Sequence, residues 1–157
     1  SFETIEKYLS IGVDRVILGT AAVTEEGFAE KAVLKYGDRI AVSVDIKDSR
    51  VAIKGWTEAS SYLYDDFCAK MQKIGVKTLI CTDISKDGAM EGTNLDLYKN
   101  LSEKFDMDII ASGGVSSLEN IRDLKAMEDL GVRGAIIGKA LYDGMLSLDD
   151  ALAEANS

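Results

Sequence analysis

Several short stretches of the chain hold residues able to do chemistry. Asp45 ends an apolar run, RIAVSVDI (39–46), in which Ala41, Ser43 and Asp45 share one face and Ile40, Val42, Val44 and Ile46 the other. A carboxylate at the C-terminal mouth of a strand, on its small and polar face, is a candidate general acid or base whose pKa its surroundings can tune. The alternative is a carboxylate that caps a loop or helix. In CTDISKDGAMEGTN (81–94), Thr82 and Asp83 end a second strand and Asp87 and Gly88 sit in a Gly-rich loop. These residues could bind sugar hydroxyls or orient an acid, although Asp-Gly is also an ordinary turn pair. Metal binding by Asp83 and Asp87 has no further support, so no metal site is assigned.

Two glycine turns suit an anion. In ASGGVSS (111–117), Ser112, Gly113 and Gly114 precede a helix opened by the capping box Ser116 and Glu119. Glycines allow close backbone approach, and a helix start offers free N–H groups. GKAL (138–141), with Gly138 and Lys139, ends the next strand. Tight turns without a ligand are the alternative for either stretch; the adjacent pair favours phosphate. GTAA (19–22), with Gly19 and Thr20, resembles GKAL and points to a second phosphate site. Trp56, the single tryptophan, lies in a polar loop, where it could stack on a heterocycle or pack on its neighbours.

Composition narrows the chemistry. The 157 residues contain 18 Lys+Arg against 27 Asp+Glu, a formal charge of −9, with no histidine and no proline. An acidic chain is a poor nucleic-acid surface, because phosphate-backbone binding needs clustered Lys and Arg. Without histidine, proton transfer falls to Asp, Glu, Lys, Tyr or Cys. Two scattered cysteines, Cys68 and Cys81, form neither a disulfide framework nor a zinc site, and read as reduced packing thiols. No apolar run reaches a membrane span of about 18 residues, and the N-terminal SFETIEKYLS has no signal-peptide pattern. The expectation is one soluble, cytoplasmic domain over 1–157, with no membrane or nucleic-acid partner.

The elements that must position these residues alternate. Strands are predicted at 13–18, 39–46, 77–83, 108–112 and 135–138, and helices at 1–10, 24–36, about 58–74, 94–105, 117–129 and 147–155. Residues 47–56 read as a polar loop, and Glu25 and Glu26 as the acidic first turn of the second helix. Short apolar strands separated by helices indicate an α/β fold with a parallel sheet. An internal repeat sharpens this. IGVDRVILGTA (11–21) aligns without gaps on LGVRGAIIGKA (130–140), with identity at Gly12/Gly131, Val13/Val132, Ile17/Ile136, Gly19/Gly138 and Ala21/Ala140. After a three-residue length difference, Ser1, Glu3 and Ile5 fall on Ser117, Glu119 and Ile121. Two such units of about 119 residues approach the roughly 250 of a (β/α)8 barrel. The expectation is a partial TIM barrel carrying strands 4–8 and helices 3–8, with strands 1–3 absent.

The ordered set GTAAV (19–23), SVDIKDSRVAIKGW (43–56), CTDISKDG (81–88), ASGGVSS (111–117) and GKALY (138–142) resembles the phosphoribosylformimino-aminoimidazole carboxamide ribotide isomerases of histidine biosynthesis. The resemblance runs from the first residue to about 153. It implies a cofactor-free Amadori rearrangement of an aminoaldose ribotide bearing two phosphates to the aminoketose. It implies Asp45 as general acid on the ribose ring oxygen, Thr82 assisting it, and Asp87 and Gly88 touching substrate. It further implies Trp56 stacked on the imidazole, phosphate at Ser112, Gly113, Gly114, Gly138 and Lys139, and a second phosphate at Gly19 and Thr20.

The family's second catalytic Asp and one glycine turn lie on strands 1–3, so this polypeptide alone is expected to be inactive or nearly so. Ala89 stands where relatives often carry Thr. Unpaired sheet edges invite the missing N-terminal segment or a second copy as partner. Two rival readings are the related ammonia-using cyclase of the same pathway, disfavoured by GKALY and by GW in the loop, and a non-catalytic phosphate-binding half-barrel.

Overall fold

Alternation of apolar and small or polar residues along the strands dictates a sheet with two unlike faces. The structure, a computed structural model, describes residues 1–53, 55, 58–87 and 92–157, the side chains of Glu58 and Ala59 excepted. In chain order its elements are α1 (Phe2–Ser10), β1 (Val16–Leu18), α2 (Thr20–Thr24), α3 (Phe28–Tyr36), β2 (Ile40–Lys47), β3 (Arg50–Ile53) and β4 (Glu58–Leu63). There follow α4 (Tyr64–Lys73), β5 (Thr78–Asp83), α5 (Leu95–Lys104), β6 (Asp108–Ser112), α6 (Leu118–Lys125), β7 (Val132–Ile136), α7 (Lys139–Tyr142) and α8 (Leu148–Ala155).

The five expected strands form one parallel sheet, β1-β2-β5-β6-β7. Its helix-covered face carries Ile40, Val42, Val44 and Ile46 of β2, Leu79 and Cys81 of β5, and Ile109 and Ala111 of β6. Phe67, Cys68 and Met71 of α4 and Leu97, Tyr98 and Leu101 of α5 close over them. Each such large apolar side chain contributes about 1.5–3 kcal/mol on burial. The opposite face presents Ala41, Ser43 and Asp45, then Ile80 and Thr82, then Ile110 and Ser112. At its margins Ile17 and Ile136, equivalent in the sequence repeat, are both exposed. Among the described residues, no helix is long and apolar enough to cross a membrane.

Three expectations are corrected. The polar loop and the start of the long helix fold instead as a hairpin, β3 and β4, continuing the sheet antiparallel to the end of β2. Its turn places Asp48 and Ser49 at φ 49° and 64°, the geometry of a two-residue hairpin loop, so the helix begins only at Tyr64. The helix expected over 24–36 is two helices. Gly27, at φ 72°, caps the second, and Glu25 and Glu26 lie in the link rather than in a first turn. The last strand ends at Ile136, leaving Gly138 as the cap of α7.

The repeat is structural. Ser1 and Ser117 each cap their helix by accepting from the N–H three residues on, Thr4 and Asn120, so the cap is Ser117 and not the expected Ser116 of a box with Glu119. Gly12 and Gly131 both hold positive φ, at 95° and 118°. Equivalent sequence here dictates equivalent local backbone.

Candidate active site

Register determines what meets at the C-terminal mouth of the sheet. Asp45 pairs with Thr82, Thr82 with Ser112, and Ser112 with Ile136. In-register residues of neighbouring parallel strands project to one face, with strands roughly 4.8 Å apart. Asp45, Thr82 and Ser112 therefore form a row on the face turned away from the helices. Asp45 and Ser112 are half-buried and Thr82 is buried. A carboxylate beside a hydroxyl at the edge of solvent can exchange a proton with a bound molecule and have its orientation held by the neighbour.

Beside Ser112 a cleft of about 80 Å³ is lined by Gly113, Gly114, Gly138, Lys139 and Asp87. The expected phosphate residues of the second half are thus brought together, with Asp87 at their rim. The glycines have different reasons. A Cβ on Gly113 would stand 2.7 Å from the Asp83 carbonyl oxygen, and one on Gly114 2.2 Å from that of Gly92, and both residues hold positive φ. Protein packing alone requires these two. A Cβ on Gly138 would meet nothing within 4 Å, and the same holds at Gly19. Gly19 and Thr20 lie outside this cleft, at the end of β1 and the start of α2, in the position equivalent to Gly138 and Lys139. Trp56 and Gly88 fall outside the described residues.

Asp83 points to the opposite face and is structural. Its carboxylate accepts from the Ser85 hydroxyl at 2.6 Å, the Ser85 N–H at 2.9 Å and the Asn94 amide at 2.6 Å. Burial pushes its pKa up, but these three donors outweigh it, and the carboxyl is held below its ordinary value. Asn94 in turn accepts from the Leu97 N–H, capping α5. Its position ahead of a helix was a readable cap signal; its clamp on Asp83 across the loop was not. Sequence reading also missed the hydroxyls of Thr93 and Tyr98. Thr93 donates to the Gly113 carbonyl, and Tyr98 reaches Ser112 from beneath. Among the described residues no group of three or more His, Cys, Asp or Glu is disposed to hold a metal ion. Burial pushes the Cys68 thiol up to about 12 and that of Cys81 well above its ordinary value, as expected of packing residues.

The family model described as "Histidine biosynthesis protein" matches residues 1–147. The chain belongs to this family. Relatives within it include one from Clostridium botulinum (strain Langeland), 47% identical over 156 residues, which are 99% of this chain and 63% of the relative. Another, from Syntrophomonas wolfei, is 49% identical over 154 residues, 98% of this chain and 63% of the relative. A third, from Brachyspira hyodysenteriae, is 49% identical over 146 residues, 93% of this chain and 60% of the relative. Each is named a 1-(5-phosphoribosyl)-5-((5-phosphoribosylamino)methylideneamino) imidazole-4-carboxamide isomerase. The chain spans about 63% of the length of the first two. The α/β fold with a mostly parallel sheet expected from the repeat and the motifs is the one observed, and its open sheet is consistent with the (β/α)8 architecture of this family.

Proposed function

We propose that this chain forms the acid side, one phosphate site and part of the second in a cytoplasmic aldose–ketose isomerase acting on an aminoaldose ribotide with two phosphates. The carrying observation is the in-register pair Asp45 and Thr82 one strand away from the Ser112–Gly138 cleft. Relatives named for a doubly phosphoribosylated isomerase substrate support the same reading.

In this scheme the cleft holds one phosphate through backbone N–H groups and Lys139, which suits a chain of net charge −9. Gly19 and Thr20 hold the other. Asp45 gives its proton to the ribose ring oxygen, the bond from that oxygen to C1 breaks, and the amino nitrogen's electron pair forms the C=N bond. Loss of the C2 proton to a second carboxylate gives an enolamine, which tautomerises to the aminoketose. All atoms are retained, and no cofactor is required. Thr82 steadies the Asp45 carboxylate, while Trp56, Asp87 and Gly88 contact the substrate.

One carboxylate serves both proton transfers poorly, so turnover requires a second carboxylate-bearing segment against the open sheet edges. The test is isomerisation of the aminoaldose ribotide, followed by absorbance, by this chain alone and with the first third of a relative added in trans. Turnover only after addition supports the reading. Equal turnover without it removes the two-carboxylate assignment, and ring closure of the aminoketose ribotide with added ammonia, with no isomerisation of the aminoaldose, would favour the cyclase reading.

A further inference from the structure

Tyr98 is wholly buried on α5, and its hydroxyl stands where β5 and β6 end. That oxygen donates to the Ser112 carbonyl at 2.6 Å, accepts from the Ser112 N–H at 3.2 Å and lies 3.3 Å from the Cys81 carbonyl oxygen. Five residues earlier, the Thr93 hydroxyl donates to the Gly113 carbonyl at 2.9 Å. Two successive peptide units of the glycine turn are therefore each held by a hydroxyl from the start of one helix. Core packing needs only the ring at position 98, and a buried hydroxyl is costly unless it is used. Burial pushes the Tyr98 hydroxyl up to about 12, against hydrogen bonding with Thr93 and Ser112, so it keeps its proton throughout the neutral range.

The consequence follows from peptide geometry. In a planar trans peptide the carbonyl and the next residue's N–H point in opposite directions. The Ser112 carbonyl is drawn to Tyr98 and the Gly113 carbonyl to Thr93, so the N–H groups of Gly113 and Gly114 are turned away from α5. The cleft lined by Ser112, Gly113, Gly114 and Gly138 is where donors so turned would be of use.

We propose that Thr93 and Tyr98 are positioning residues of the phosphate cleft, their hydroxyls fixing the peptide planes that aim the Gly113 and Gly114 N–H groups at the anion. This rests on the reading of the cleft as a phosphate site. Asn94, between them in sequence, clamps Asp83 at the end of β5, so one helix start sets both neighbouring strand ends.

The test is a titration of the full chain with inorganic phosphate, followed by the amide resonances of Gly113, Gly114 and Gly138, with thermal melts alongside. The unaltered chain should show saturable shifts at all three. Tyr98→Phe and Thr93→Val should each weaken binding about five- to tenfold, the range of one well-placed hydrogen bond, and Thr93→Ser should restore it. A lower melting temperature with unchanged phosphate affinity in either variant would overturn the proposal, as would failure of Thr93→Ser to rescue. If Tyr98→Phe does not fold, Thr93→Val, at a half-buried position, decides alone. Absence of shifts in the unaltered chain defeats the phosphate reading itself, an outcome distinct from variants that bind as tightly as the parent.

Discussion

Gly19 and Gly138, 119 residues apart in the sequence, hold nearly the same backbone conformation, φ/ψ −99°/−117° and −110°/−101°, each at the N-cap of a short helix that follows a parallel strand. Both leave open space where a side chain would begin. Shared conformation with no packing reason for glycine sets this pair apart from Gly113 and Gly114, whose missing side chains make room for neighbouring backbone.

That contrast is testable by substitution. Gly138→Ala places a methyl in open space at the cleft, so it should weaken phosphate binding at least tenfold, with any loss of stability coming from its backbone conformation and not from a clash. Gly114→Ala drives a Cβ to 2.2 Å from the Gly92 carbonyl oxygen at positive φ, so it should cost stability first, about 1–3 kcal/mol. Thermal melts and phosphate titrations on both variants separate the two effects. Equal destabilisation would show that the space at Gly138 is not the determining difference.

Asp45→Asn keeps size and polarity but removes the transferable proton. With the second carboxylate-bearing segment supplied, turnover should fall about 10²–10⁴-fold, the usual worth of a positioned acid or base. Phosphate affinity should stay within twofold, because Asp45 lies two strands from the cleft's glycine turn. Parallel losses of binding and turnover would instead make Asp45 a structural carboxylate.

Asp83 predicts a dependence on pH whose sign is fixed. Its folded pKa lies below the unfolded value of about 3.9, so the unfolded chain binds the proton more readily. The clamp's contribution is complete above that unfolded value and is lost as pH falls through the lowered folded one. Asp83→Asn turns an amide toward the Asn94 amide, pairing donor with donor, and should cost about 1–3 kcal/mol at pH 7. The gap between the two proteins should narrow at pH 3. Urea unfolding at both pH values checks this, and a constant gap would place the effect outside the carboxylate's ionisation.

The parallel sheet and the row Asp45, Thr82 and Ser112 were legible because period-two alternation and strand-end position are local properties. The repeat was legible because identical residues mark equivalent turns. What escaped depends on contacts across the chain. Asp83 and Thr82 are neighbours in sequence, yet only strand direction assigns one to the mouth and the other to the helix side. Tyr98 reads as an aromatic at helical spacing, and nothing in that spacing says that its hydroxyl spans two strands. The 24–36 segment looked like one helix because Gly27 is a mild interruption by propensity, whereas its positive φ makes it a break.

The hairpin β3–β4 was missed for a reason that itself gives a prediction. Two-residue hairpin loops with both residues at positive φ favour Asn-Gly or Asp-Gly, and here the pair is Asp48-Ser49. Asp tolerates the left-handed region through local hydrogen bonding, whereas Ser at φ 64° has less to offset its Cβ. Ser49→Gly should therefore stabilise the protein by about 0.5–1 kcal/mol, the relief of the left-handed conformation exceeding the entropy that glycine adds to the unfolded chain. For a chain of this size that is a rise of about 1–4 °C in melting temperature. Ser49→Val, which stiffens the same position with a branched Cβ, should shift it the other way. A calorimetric comparison of the three proteins decides the matter. Opposite signs for the two substitutions would establish the left-handed turn, and a loss of stability in both would mean that Ser49 contributes a side-chain interaction that outweighs its backbone conformation.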